Sequence, residues 1–359
     1  MAIYDIIIWI MAVFAILGAI DRILGNRFGL GKPFEEGLLA MGSLALAMIG
    51  IISLAPVLAS VLKPIVVPAY EFLGADPAMF AGTILACDMG GGSLAAEMTA
   101  DPQAAGLGGV ITGSMLGATI VFTIPVALGI LEEDDRGHLA KGILCGMIAI
   151  PIGVLVGGLV AGYPVGKVLR NLIPIVLFAI LIALGLWRAE KAMIKGFTVF
   201  GKAITALITI GLAAAIVEAL TGVAVIPGMA PISEGFETVG AIAIVLAGAF
   251  PLVFAVTKVL EKPLMKAGSR LGINETAAAG LVASLANSIA TFGMVKDMDD
   301  RGKVVNIAFA VCAAFVFGDH LGFTAGFSPE LLIPVILGKL AGGAAAVAVA
   351  LALTRKKNG

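Results

Sequence analysis

The 359-residue chain is expected to be an all-α polytopic membrane protein, with two inverted-topology repeats that carry opposed re-entrant or discontinuous helical segments. Three observations predict this class. The chain is 60% hydrophobic and only 13% charged, with a mean hydropathy of +1.09, where a soluble domain would carry about 25% charge. Its apolar residues fall into runs of about the 20 residues that a 30 Å hydrocarbon core requires. One such run, Ala81 to Met98, sets Asp88 and the glycines Gly90, Gly91 and Gly92 near its middle.

That last stretch cannot be a plain spanning helix. Each interior glycine costs about 1 kcal/mol relative to alanine, and an aspartate at the bilayer centre costs at least about 2.5 kcal/mol. Irregular backbone at that depth needs protein or a water-filled cavity around it. Asp88 is therefore expected at a broken or re-entrant element that lines a cavity.

The remaining elements follow in order. Ile3 to Ile20 has no basic flank before it and no small-residue cleavage site after it, so it reads as a retained span. A charged loop, Asp21 to Glu36, leads to the run Leu38–Leu62, which contains Pro56; Lys63-Pro64 then opens a short segment to Leu73-Gly74. After Met98 come Gly106–Leu131, Gly142–Tyr163, Val168–Trp187, Phe197–Leu220, Phe236–Leu260, Glu275–Met294, Lys303–Gly326 and Leu331–Leu353.

Lys63-Pro64, Leu73-Gly74 and Ala81-Gly82 have counterparts in Lys262-Pro263, Leu271-Gly272 and Ala279-Gly280, and Asp88 in the first series corresponds to Asn287 in the second. This is the signature of duplication with a polar residue in a weakened run of each half. Residues 1–163 form the first half, 164–196 a connecting span and 197–359 the second half. If every run crosses, the lysines and arginines divide evenly between the two sides. If Ala81–Met98 and Glu275–Met294 instead dip in and return, only Lys63, Lys167 and Arg170 remain on one side, and that side is outside. The expectation is thus nine full crossings, two re-entrant elements, an external amino terminus and a cytoplasmic carboxyl terminus at Arg355-Lys356-Lys357.

Asp88 reads as a carboxylate for a substrate ammonium or a coupling ion; the competing reading is a cap on an adjacent half-helix. Gly90 and Gly91 let backbone approach a ligand, or pack helices together. Asn287-Ser288 offers an amide and a hydroxyl for hydrogen bonding, or interhelical ties. Asp319-His320 pairs an intramembrane acid with a titratable ring, for ligand binding or proton relay. Glu97 lies nearer an entrance or interface, and Glu35-Glu36 is expected to cap its helix. Thr119, Thr123 and Asn306 read as contacts or helix ties, and Phe122, Phe317 and Phe323 as an ammonium cage or core packing. Lys339 lies within the last run with no partner assigned by the sequence. Catalytic motifs, cofactor motifs and paired metal-ligand spacings are missing, as is a basic patch for nucleic acid. Cys87, Cys145 and Cys312 sit singly in apolar runs.

The motifs FEEGLLAMGSLALAMIG (34–50), MFAGTILACDMGG (79–91), GSMLGATIVFTIPVALGI (113–130), INETAAAGLVASLAN (273–287), FGMVKDMDDRGKVVNIAFAV (292–311) and FGDHLGF (317–323) resemble the ethanolamine utilisation permease family. The resemblance runs from the first span to the last. It implies a bacterial inner-membrane transporter, not an enzyme, that moves ethanolamine without a cofactor. Ethanolamine, a two-carbon amino alcohol, is mostly protonated at neutral pH, so its site needs an acidic acceptor and a partner for the hydroxyl. Asp88 or Asp319 suits the first role, and Asn287, Ser288 or His320 the second. Facilitated diffusion and proton or sodium coupling both stay open, and a homodimer is a further expectation. The alternatives are the membrane subunit of a sodium-pumping decarboxylase and a non-transporting receptor for a small amine.

Overall fold

The computed structural model describes residues 3–354, with all their side chains except those of 3–5, 190, 194, 260–262 and 264–270. The tail Arg355-Lys356-Lys357 lies outside the described residues, as do the side chains of Lys262, Lys266 and Arg270. Every regular element among the described residues is helical. Eight helices there are long and apolar enough to cross a membrane. Large apolar side chains such as Trp9 (65% exposed), Ile65 (73%) and Phe72 (90%) point outward, as on a surface solvated by lipid rather than water.

The chain opens with α1 (Ile3–Ile23) and α2 (Gly31–Phe72). The sequence suggested a separate segment after Lys63, but α2 runs unbroken through Pro56, Pro64 and Pro68. A proline leaves one carbonyl without its helical donor, and inside a bundle neighbouring groups make that tolerable. The helix therefore continues where the prolines suggested a boundary.

Next come α3 (Ala78–Ile84), a single turn at Cys87–Met89, and α4 (Gly91–Met98). The two arms fold back on each other, because at their base Thr99 Oγ1 donates to Asp76 Oδ2 at 2.9 Å. A second hairpin joins α10 (Glu275–Ala286) to α11 (Ser288–Met294) through Asn287. At its base the Asn274 backbone N–H donates to Asp299 Oδ1 at 2.8 Å and Asn274 Nδ2 donates to the Asp297 carbonyl at 2.9 Å.

Between the hairpins, α5 (Pro102–Ala105) winds into π-helical stretches at Gly106–Gly117 and Thr119–Thr123 and ends in α6 (Ile124–Ile130). It is followed by α7 (Arg136–Val160), α8 (Val165–Thr221) and α9 (Ile232–Arg270). α8 is two helices joined at Ala189 (φ −142°, ψ 47°), ahead of the expected boundary at 196/197. After the second hairpin, α12 (Asp300–Ala313) and α13 (Asp319–Phe327) are separated by an irregular stretch, and α14 (Leu332–Leu353) closes the fold.

α7, 25 residues long and so about 37 Å, serves as a ruler. At its Asp135 end, Lys303 Nζ donates to Asp135 Oδ1 at 2.5 Å, which fixes the start of α12 and the base of the second hairpin beside it. At its other end, Lys167 Nζ donates to Asp101 Oδ2 at 2.6 Å and Asn171 Oδ1 accepts from the Asp76 N–H at 2.7 Å, which fixes the base of the first hairpin there. The two hairpins thus start from opposite ends of the bundle. The run from α12 to α13 traverses its length, since Leu331, just past α13, meets Gly106 near Tyr163.

Small residues set the spacing. Gly338 and Gly342 of α14 lie against Gly153 and Gly157 of α7, the close approach that small residues allow between membrane helices. The π stretch is glycine-rich where it meets the first hairpin: a Cβ on Gly117 would run into the Leu85 carbonyl.

Candidate functional site

The site begins with two helix ends that the backbone cannot continue. In the first hairpin, Leu85 and Ala86 leave the helical region and Gly90 turns the chain at φ +96°, where a side chain would also strike Ile51. The intervening turn carries Asp88. Between α12 and α13, Phe315 adopts φ +62°, a costly conformation for a bulky residue. It is held there because its N–H donates to the Ser284 carbonyl at 3.1 Å while Phe317 N–H donates to Leu285 at 2.9 Å. The last carbonyls of α10 thereby accept from N–H groups just beyond the end of α12.

These breaks bring Asp88, Asp319 and His320 to one cavity of about 40 Å³, lined also by Ala86, Met89, Ala118, Phe122 and Phe315. His320 Nε2 lies 3.7 Å from Asp88 Oδ1. The wall is aromatic: the Phe122 ring meets Phe315 edge-on at 5.4 Å, and Phe315 sits 5.2 Å from the His320 ring. Lys339, 1% exposed, comes from α14. Its Nζ donates to the Ser114 carbonyl on the π stretch and lies 3.1 Å from His320 Nδ1.

Asp319 also faces a second cavity, of about 360 Å³, with Asn287, Phe317, Phe250, Phe254 and Glu36. Pro33 and Glu36 place it toward the Asp135 end, because α2 runs from there to Asp76 at the opposite end. A third cavity, of about 330 Å³, lies at the Lys167 end among Thr99, Pro102, Ser328 and Glu330 and stops at Gly92 and Phe327. The Phe323 and Phe327 rings stack at 4.9 Å and press on Gly92.

The residues singled out from sequence divide accordingly. Asp88, Asp319 and His320 converge. Asn287 lines the larger cavity, and its side-chain oxygen accepts from Ile289 N–H at 2.8 Å to cap α11. Ser288 is buried beside it, and its Oγ has no hydrogen-bond partner among the described residues. Gly90 and Gly91 shape the turn without lining the cavity, and Glu97 is exposed on α4. Thr119 and Asn306 are ties: Thr119 Oγ1 donates to the Val311 carbonyl at 3.2 Å, and Asn306 Nδ2 donates to the Ala277 carbonyl at 2.9 Å. Glu35 and Glu36 do not cap α2, which starts earlier, at Gly31; Glu35 pairs with Arg22 and Glu36 reaches the cavity. Of the aromatic trio, Phe122 lines the site, Phe317 the larger cavity, and Phe323 is core. Sequence reasoning missed Phe315 and left Lys339 without a partner. The only signal for the first was Gly318 followed by an acid, in FGDHLGF.

With this geometry in view, the comparisons decide the family. The family described as ethanolamine utilisation protein, EutH, matches residues 3–353. The chain belongs to the EutH family. It is 61% identical over 356 residues to a probable ethanolamine permease EutH of Listeria monocytogenes, covering 99% of this chain and 95% of that protein. It is 53% identical over 354 residues to YxeR of Bacillus subtilis, an uncharacterized protein, covering 99% and 96%. It is 50% identical over 396 residues to a probable ethanolamine permease EutH of Escherichia coli, covering 100% and 97%. No solved structure matches the chain. EutH relatives named as permeases make this a multi-pass membrane protein of a transport family rather than an enzyme.

Proposed function

We propose that the chain carries ethanolamine, as its ammonium cation, across the cytoplasmic membrane into the cell. The observation that carries this reading is the convergence of Asp88, Asp319 and His320 on one small, aromatic-walled cavity where two broken elements meet. An intramembrane carboxylate is costly enough that a cationic ligand is its natural partner, and aromatic faces add to the attraction for an ammonium. At about 10–15 Å³ per water, a cavity of about 40 Å³ suits a solute on the scale of a few waters, and ethanolamine has only four non-hydrogen atoms. His320 and the neighbouring carboxylate oxygens offer hydrogen bonds to its hydroxyl. The names of the permease relatives support the same substrate.

In this proposal both hairpins are re-entrant and the halves are inverted repeats, an arrangement favoured by hairpin bases at opposite ends of α7. The amino terminus is outside, which makes the Asp135 end cytoplasmic. The larger cavity then opens the site toward the cytoplasm, while α13 and the Phe323–Phe327 stack separate it from the external cavity. Transport alternates which of these routes is open.

The test is uptake of labelled ethanolamine into sealed liposomes that contain the purified protein. Saturable uptake that unlabelled ethanolamine competes away is the expected result. Uptake no faster than in empty liposomes, with folded protein present, would contradict the proposal.

A further inference from the structure

We propose that Lys339 is a resident cation of the transport site, which holds His320 neutral with its proton on Nε2 and balances one of the two carboxylates. This inference rests on the transport reading above for its consequences, but not for its geometry. A buried ammonium must spend its protons on acceptors. Among the described residues Lys339 has two, the Ser114 carbonyl and, at 3.1 Å, His320 Nδ1. An ammonium only donates, so Nδ1 must present its lone pair and the ring proton must sit on Nε2. Nε2 is the atom that faces Asp88 Oδ1, 3.7 Å away.

The other titratable groups around this pair are Asp319 on the same helix, and the thiols of Cys87 and Cys312. Two consequences follow. His320 cannot accept a second proton without giving up Lys339, so it is a fixed hydrogen-bond donor rather than a proton relay. With both acids ionised, the empty site holds two carboxylates and one ammonium, and a bound ethanolammonium brings the sum to zero without a co-transported metal ion. The Nε2–H form also offers no lone pair to an ion, so Cys87, Asp88 and His320, whose donor atoms lie within 4.8 Å of one another, do not make a metal site in this state.

The test is nitrogen NMR of purified full-length protein that carries isotope-labelled histidine. The chain has only two histidines, and His138→Asn leaves His320 alone in the spectrum. The expected result is a bare Nδ1, a protonated Nε2 and no titration between about pH 5 and 8, where a free imidazole would titrate. A proton on Nδ1, or titration in that range, would overturn the proposal. Lys339→Met should free Nδ1, so that part of the population carries its ring proton there, and Lys339→Arg should restore the Nε2–H form; a Lys339→Met spectrum like the parent's would also overturn it. If Lys339→Met fails to fold, the parent spectrum alone decides. Because the spectrum needs no transport, it separates this inference from the transport reading. In liposomes, replacing sodium with potassium should leave ethanolamine uptake essentially unchanged; a loss of about tenfold, equivalent to about 1.4 kcal/mol, would overturn the charge balance.

Discussion

Gly90 and Asp88 show how much chemistry rests on single positions. Gly90 holds φ +96° with Ile51 packed where a Cβ would go. Gly90→Ala should therefore lower stability by at least about 1–2 kcal/mol, the cost of the left-handed region alone, and displace Asp88; thermal unfolding in detergent checks the first effect and uptake the second. Glu97→Gln should leave uptake unchanged, since Glu97 is exposed on α4 and away from the cavity. Asp88 and the Asp319-His320 pair were legible in the sequence because an acid inside an apolar run has few reasons to be there. Phe315 was not legible, because nothing in a phenylalanine announces a positive φ. Nor was the partner of Lys339, since Ser114 and His320 come from elements far apart in the chain.

At the scale of elements, both hairpins are held at their bases by side chains that replace missing backbone partners. Asn274 caps α10 by accepting from Ala277 N–H at 2.9 Å and also ties the hairpin to Asp297. Asn274→Ala should cost about 0.5–2 kcal/mol, visible as faster hydrogen exchange in 275–286 with little change in α7. At the first hairpin, Asp101 accepts from Lys167 and from Gln103 N–H, and the Lys167 ammonium holds its carboxyl below the usual aspartate range. A carboxyl lowered on folding adds stability above its unfolded value and loses it as pH falls through the folded value. Asp101 is about a third exposed, so the contribution is at most about 1 kcal/mol. The acid limb of unfolding should shift slightly in Asp101→Asn, a change that pH-dependent melting would detect. The glycines and the polar residue at each weak point marked these hairpins in the sequence. The interruption at 314–318 was hidden because Lys303–Gly326 reads as one apolar run. The π winding of Gly106–Gly117 was hidden too, since its glycines predict close approach but not pitch.

For the whole molecule, hydropathy carried the fold class, while the cavities required packing that no one-dimensional pattern contains. The Asp135-side cavity reaches Asp319, and the Lys167-side cavity ends at the Phe323–Phe327 stack. A cysteine at Thr257 should thus react with a membrane-impermeant thiol reagent from the same side as His138, and one at Ser328 from the opposite side, once the buried Cys87, Cys145 and Cys312 are replaced. Labelling of both from one side would contradict the opposed arrangement. We propose that Asp88 is the carboxylate that holds the substrate ammonium between the two broken elements. The most direct test of this central claim is labelled ethanolamine uptake by Asp88→Asn beside the parent protein in matched liposomes. Loss of a charged hydrogen-bond partner worth about 1.5–3 kcal/mol should reduce uptake at low substrate by roughly 10- to 100-fold; a correctly inserted variant that transports at the parent rate would contradict the claim.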